Sequence, residues 1–344
     1  MTFQTVPQDA AQPTKIRRPP LRVRELGVIG VLLLEIALFA FLVHRSTIDP
    51  ATGQGDWLFL EKQNLLAIVV DAAVIGIATV GVTMVIIAGG IDLSVGGVIA
   101  LAGVITAGML RAGQPIPAAV GAALLAGIAV GASAAALVTF VELPPFIATL
   151  ALMLIARGLA FVLSGGADWS IGDKAPLFTD AFGDGRLLGL PYPALVLIVV
   201  AALCAWLLAR TAWGRQIFAV GGNEIGAHYA GVDVRRIKWS VYVLSGALAA
   251  LAGVVYAAKY GTGRSDAASG YELDAVAAAV VGGASLAGGR GSIIGAVLGA
   301  VIFTTLRTGL SQVTGASAYQ DVIVGMVVIA AVVVDRLIQR RVNR

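Results

Sequence analysis

The chain has little of what soluble enzymes are built from. Of 344 residues only 13% are charged, two are histidine and one is cysteine. A soluble domain carries about 25% charged residues, so the deficit argues against a chain folded in water. With one thiol, Cys204, inside an apolar run, the chain can form no internal disulfide, and no metal site is implied. Two histidines, and the lack of paired carboxylates or a nucleophile–base cluster, leave little for acid–base or covalent catalysis or for a proton relay. The phosphate-cradling sequence G-x-x-x-x-G-K-[ST] is missing, so the chain is not expected to bind or hydrolyse ATP. No cofactor is implied.

What fills the space is apolar. Hydrophobic residues make up 58% of the chain, and the mean hydropathy is +0.90. A membrane-spanning helix needs about 20 mostly apolar residues. Segments of that kind fall near 26–43, 65–88, 93–110, 117–140, 145–163, 191–209, 239–259, 272–288, 291–310 and 319–335. The expected fold is therefore an all-α polytopic membrane protein with about ten spans, eight to ten being the range. The range reflects two tight joints, Gly89–Asp92 and Gly288–Gly291, where paired segments read as broken or re-entrant helices. The 43 glycines suit close helix–helix approach in a bilayer.

Charge placement orients the chain. The net charge is +4, which loop asymmetry accounts for better than nucleic acid does. Basic residues gather in the N-terminal stretch (Lys15, Arg17, Arg18, Arg22, Arg24), in Arg210–Lys238, at Arg290, and at the C-terminus (Arg336, Arg340, Arg341, Arg344). Those fifteen outnumber the six expected outside, and the positive-inside rule then puts both termini in the cytoplasm. The first apolar run reads as a retained span after a polar tail rather than a cleaved signal. Three parts follow: a tail over 1–25, a transmembrane body over 26–335 with a cytoplasmic segment 210–238, and a basic tail over 336–344. The loops Asp49–Gln63 and Gly165–Leu190 face outward. The second offers Asp168, Asp173, Asp180 and Asp184 either to an external partner or simply to water.

Glu35, Asp71, Arg157 and Arg307 lie at membrane depth. Each would cost about 2.5–3.5 kcal/mol at the bilayer centre, so they should face protein or water, as interhelical ties or by reaching toward a helix end. Two stretches look alike: Ile86–Leu110 and Val280–Leu306 both run from a span through Gly-Gly and a short Ser-bearing joint into a Gly-rich span. Duplication and shared compositional bias explain this equally well. Asp92 is expected to cap the helix that starts beside Ser94, with substrate contact as the alternative.

The polar segment Arg210–Lys238 stands apart in this oily chain, and its exposure calls for a partner. Within it, Asn223 is a good helix N-cap and Gly231 a good helix stop, which predicts one short helix between them.

Four motifs, in order, resemble one family. Gly89-Gly90-Ile91-Asp92-Leu93-Ser94-Val95-Gly96 is similar to the signature of the permease subunits of ABC sugar importers of the ribose/xylose/rhamnose type. Pro145-Phe146-Ile147-Ala148-Thr149-Leu150 with Ala156-Arg157-Gly158 resembles their central segment. Gly214-Arg215, Ala219, Gly221, Asn223, Ala227 and Gly231 resemble their main cytoplasmic loop. Glu272-Leu273-Asp274-Ala275, Gly282-Gly283, Ser285-Leu286 and Gly288-Gly289-Arg290-Gly291 resemble their C-terminal signature. The likeness covers about residues 65–335.

The resemblance implies a non-catalytic subunit in a bacterial inner membrane. Its implied partners are a cytoplasmic ATPase subunit, a second permease copy or homologue, and a periplasmic sugar-binding protein, with membrane lipid around it. It also implies that a short helix within Asn223–Gly231 docks on the ATPase, with Arg215, Asn223, Glu224, Ala227, His228, Tyr229 and Gly231 as coupling residues. Candidates for the translocation path or helix breaks are Gly89, Gly90, Asp92, Ser94, Gly96, Phe146, Thr149, Gly282, Gly283 and Ser285. Gly226 and His228 depart from the family's usual alanine and arginine, which bears on partner specificity. A permease for a nucleoside, a branched-chain amino acid or an autoinducer stays open, as does, with less support, a stand-alone secondary carrier.

Overall fold

The computed structural model describes residues 21–47 and 55–342. Lys15, Arg17 and Arg18, part of the 49–63 loop, and Arg344 lie outside them. The described chain is mostly helical: α1 (Leu21–Ser46), α2 (Lys62–Ile87), α3 (Val95–Arg111), α4 (Ile116–Thr139), α5 (Pro145–Ser164), α6 (Tyr192–Arg210), α7 (Ala212–Gly222), α8 (Glu224–Tyr229), α9 (Val234–Tyr260), α10 (Tyr271–Val281), α11 (Ile293–Gln312) and α12 (Gln320–Val342). Seven of these, α1, α2, α4, α5, α6, α9 and α11, are long and apolar enough to cross a membrane.

Every apolar segment read from the sequence contains one helix, yet not each is a full crossing. Helix α10 has 11 residues, about 16 Å at 1.5 Å per residue, which is half the hydrocarbon thickness. The rest of that segment, Gly282–Gly288, is not helical. The joint expected after it thus runs from Gly282 to Ser292, longer than four residues.

Helices α2 and α9 form the centre. In each, 72% of the most apolar window is buried, against 22–33% for α1, α4, α5 and α6. Helix α9 packs on α4, α3 and α2, and α2 also meets α11, α6 and α10. Small residues make this approach possible. Gly127 and Gly131 of α4 lie against the backbone of Gly246 and Tyr242 in α9, where a Cβ would collide with main chain. Lipid tails are as apolar as leucine, so association relies on such close packing. The outer helices turn apolar side chains outward, such as Leu34 on α1 and Val162 on α5.

Polar ties mark the two ends of the bundle. At the end bearing α8, the Trp239 indole donates to Thr139 Oγ1 (2.9 Å), and Ser292 donates to Glu25 (3.0 Å). At the opposite end, Trp169 and Ser170 pair antiparallel with Gly263 and Thr262, and Arg111 lies 5.7 Å from the Trp169 ring centroid. Asp71 forms an ion pair with Lys259 there and accepts from Tyr260 (2.9 Å).

Three of the four charges at depth, Asp71, Arg157 and Arg307, tie segments together, and Glu35 does not. Arg307 of α11 grips Asp274 of α10 through two hydrogen bonds of 2.8 and 3.0 Å. Arg157 of α5 donates to the carbonyls of Ser265 (3.5 Å) and Ala267 (3.3 Å) in the segment before α10. Glu35 lies mid-way along α1, with its Oε2 buried and without a hydrogen-bond partner.

Candidate functional site

The polar segment 210–238 is built from three successive capped helices rather than a loop holding one. Thr211, Asn223 and Asp233 each accept a backbone N–H three residues on: Gly214 (3.1 Å), Gly226 (2.9 Å) and Arg236 (3.0 Å). Each cap satisfies a donor that a helix start would otherwise leave unpaired. Helix α7 buries Gly214, Ile217 and Val220, spaced three apart on one face, and leaves Arg215 exposed. Helix α8 buries Ala227 while Ile225 and Tyr229 stand 71% and 85% exposed. It closes at Gly231, whose φ of +82° is open to glycine without strain, with Val232 N bonded back to the Ala227 carbonyl (3.0 Å).

Two side-chain ties fix this unit to α9. The Trp213 indole donates to Ser240 Oγ (2.7 Å). Lys238 reaches both oxygens of Glu224 at 2.8 Å. The exposed side of α8, carrying Ile225, His228 and Tyr229, is left for something else.

The inner end of α7 is seated on both helix breaks. The α2 helix ends at Ile87, and Gly89 and Gly90 close it with bonds to the Ile86 and Val85 carbonyls (both 2.9 Å). After α10, Gly283 and Ala284 make the equivalent bonds to Val280 (2.9 Å) and Ala279 (2.8 Å). The two breaks meet: Gly289 N donates to the Ile87 carbonyl (2.8 Å). Gly221 of α7 lies over that bond, where a Cβ would strike the Ile87 carbonyl and Gly289 N. Gly288 in turn backs onto the Gly221 carbonyl. Three Gly-Gly pairs far apart in the chain, at 89–90, 221–222 and 288–289, thus converge.

Beyond the first break, Asp92 is fully buried. It accepts from Ser94 N (2.9 Å), Ser94 Oγ (2.6 Å) and Ser245 Oγ of α9 (2.7 Å). The bond to Ser94 N closes a turn just ahead of α3, whose N-cap Ser94 makes no side-chain cap of its own, and the bond from Ser245 ties that turn to α9; the cap expected of Asp92 is not formed. The Ile91 carbonyl accepts from Thr149 of α5 (3.3 Å) and lies 3.5 Å from the Tyr242 hydroxyl of α9. Gly96, one turn on, lies against Glu272 of α10.

Gly89, Gly90, Asp92, Ser94 and Thr149 therefore form one cluster, with Gly282, Gly283 and Ser285 at the neighbouring break. Phe146 does not join them; it is half-exposed on the outer face of α5. Arg215 lies on α7, apart from the α8 surface. Tyr242 and Ser245, which hold the first break, were not singled out in the sequence. Their signal is a polar pair three residues apart on one face of an apolar helix.

Among the described residues no three His, Cys, Asp or Glu side chains are grouped to hold a metal. The arrangement ties α7 to the two helix breaks and the first break to α5 and α9. The fold and this arrangement are those of a polytopic helical membrane protein with a polar three-helix unit seated on two helix breaks.

Comparison with known proteins gives the family. Residues 64–332 match the family described as the permease component of branched-chain amino acid transport systems, and the chain belongs to it. It is 40% identical to the ribose import permease of Escherichia coli K12 over 302 residues, 87% of this chain and 92% of that protein. With the D-allose transport permease of the same organism it shares 38% over 315 residues, covering 91% and 92%. A solved inward-facing structure, described as a metal-chelate type ABC transporter, superimposes with a TM-score of 0.50 at 16% identity, covering 87% of this chain and 96% of that one. The chain is a non-catalytic permease subunit of an ABC importer.

Proposed function

We propose that this permease carries a monosaccharide across a bacterial inner membrane, driven by a separate ATPase that grips α8. The sugar reading rests on the ribose and D-allose permeases, similar over about nine-tenths of the chain. The observation that carries the mechanism is the seating of Gly221 on both helix breaks. Helix α8 is joined to α7 through Asn223 alone, and α7 ends on the α2–α3 and α10–α11 joints. Displacement of α8 is therefore delivered to two places where transmembrane helices are already interrupted. Irregular backbone at depth is tolerated where it lines a cavity, and these joints, with Asp92, Ser94, Thr149 and Ser285, border the sugar's path.

The α8 end faces the cytosol. The chain crosses ten times with both termini inside, counting α3 and the short α10 as passages completed by their joints. A second permease copy or homologue completes the pathway. A periplasmic binding protein delivers the sugar at the end bearing residues 165–190. The aqueous coupling segment is 210–238 within a transmembrane body over 26–335, and lipid covers the outward faces of α1 and α5.

Replacing Asn223–Gly231 by a flexible Gly/Ser linker is expected to abolish ATP-coupled sugar uptake while membrane insertion is kept. Uptake at the wild-type rate in that variant would remove α8 as the coupling element.

A further inference from the structure

We infer that the turn between α4 and α5, residues 140–144, is a second docking element for the ATPase subunit and forms one wall of a groove whose other wall is α8. The inference rests on the reading that α8 meets an ATPase. A cavity of about 1050 Å³ lies between the two elements, lined on one side by Glu142, Leu143 and Pro144 and on the other by Ile225, His228 and Tyr229.

The surface around it is unusual for the watery end of a membrane protein. Phe140 and Val141 of the turn are 63% and 60% exposed, and Ile225 and Tyr229 on α8 are more exposed still. Ile225 and Tyr229 share the lining of the cavity with Glu142, Asp233, Arg235 and Lys238, and Phe140 and Val141 immediately precede Glu142 in the turn. Hydrocarbon does not cover a rim that carries this many charges, so protein is the cover that fits. Exposed apolar patches rimmed by polar residues mark such interfaces.

The turn is closed by backbone hydrogen bonds and a ring contact. The Phe140 and Val141 amides bond back to the Ala136 carbonyl (2.9 and 3.4 Å), and Leu143 N to Leu137 (3.0 Å). The Phe140 ring packs 5.8 Å from the Trp239 ring, and Trp239 is bonded to Thr139. Glu142 sits at φ +58°, a left-handed conformation in which glycine would be free of strain. A carboxylate at a position that favours glycine points to a use for the side chain. Glu142 is exposed, and no side chain of the described residues pairs with it within salt-bridge distance, in contrast to Glu224, which Lys238 holds. The occupant that fits is the ATPase subunit, presenting an apolar side chain to the exposed Val141, Ile225 and Tyr229 and a Lys or Arg to Glu142.

The test uses the full-length permease in lipid nanodiscs and the Walker-A-bearing ATPase subunit that copurifies with it from the native membrane. Binding of the purified ATPase is titrated against wild type, Val141→Asp, Glu142→Lys, Glu142→Gly and Ile225→Asp. We expect Val141→Asp and Glu142→Lys to weaken binding about tenfold or more, as for interface anchors, and Glu142→Gly to weaken it although its turn is relaxed. Wild-type affinity in all three turn variants with loss in Ile225→Asp would overturn the second docking element and leave the α8 reading standing. Wild-type affinity in all four would overturn both. Turn variants that lower yield in the nanodisc but bind with wild-type affinity would assign the turn to lipid and also overturn the inference.

Discussion

At Asp92, three hydroxyl or amide donors meet one carboxylate that has no access to water. A buried polar group is tolerable only when so satisfied, and Ser245 is the donor that comes from another helix. Ser245→Ala removes one bond to this group and is expected to destabilise the protein by about 1.5–3 kcal/mol. Ser245→Thr, keeping a hydroxyl, should recover most of that; denaturation of the purified protein in mixed micelles measures both. The Glu224–Lys238 pair is a contrast, being partly exposed. Glu224→Gln should change stability by less than about 1 kcal/mol in the same measurement. What was legible at this scale was local. Asn223 as a cap, Gly231 as a stop and Asp92 beside Ser94 all act within a few residues of themselves. The partners of Asp92 and Arg307 were not legible, because Ser245 lies 153 positions from Asp92 and Asp274 reads as one more carboxylate near a helix start.

At the scale of elements, α7 is the piece the sequence disguised. Its glycines and modest apolar face read as loop, and only its seating on the two breaks makes it a connector. Adjacent glycines in it give a controlled experiment. A methyl at Gly221 meets the Ile87 carbonyl and Gly289 N, whereas at Gly222 it meets nothing within 4 Å. Gly221→Ala is expected to cost about 1–3 kcal/mol by overpacking and to lower the sugar imported per ATP hydrolysed. Gly222→Ala should leave both unchanged. Parallel assays of ATPase rate and uptake in one reconstituted preparation check this. The two look-alike stretches gain a physical basis as well. Both breaks close by the same pair of backbone bonds, with Gly89 answering to Gly283, one position off from aligning Gly-Gly with Gly-Gly.

For the whole molecule, composition was enough to read a polytopic helical protein, since apolar runs of spanning length have few other uses. It could not separate a crossing from a half-crossing. Helix α10 is short because Gly283 and Ala284 close it onto the Val280 and Ala279 carbonyls, while its start is set by the segment Thr262–Gly270, tied by Arg157 and by pairing with Trp169. These are tertiary contacts that hydropathy does not record. The Asp274–Arg307 pair holds α10 to α11, and Asp274 is only 1% exposed. Arg307→Met leaves that carboxylate unpaired and should destabilise by about 3–5 kcal/mol. Adding Asp274→Leu should return part of the loss, read as recovery of thermal stability in detergent.

Under the proposed function, this chain moves substrate only when an ATPase works it through α8. Reconstitution into liposomes measures that directly, with labelled ribose followed for the permease alone and for the permease with its ATPase and binding protein. The expected result is uptake only from the complete set, only with ATP, and lost with the Asn223–Gly231 linker variant. Sustained flux through the permease alone, independent of ATP, would contradict it.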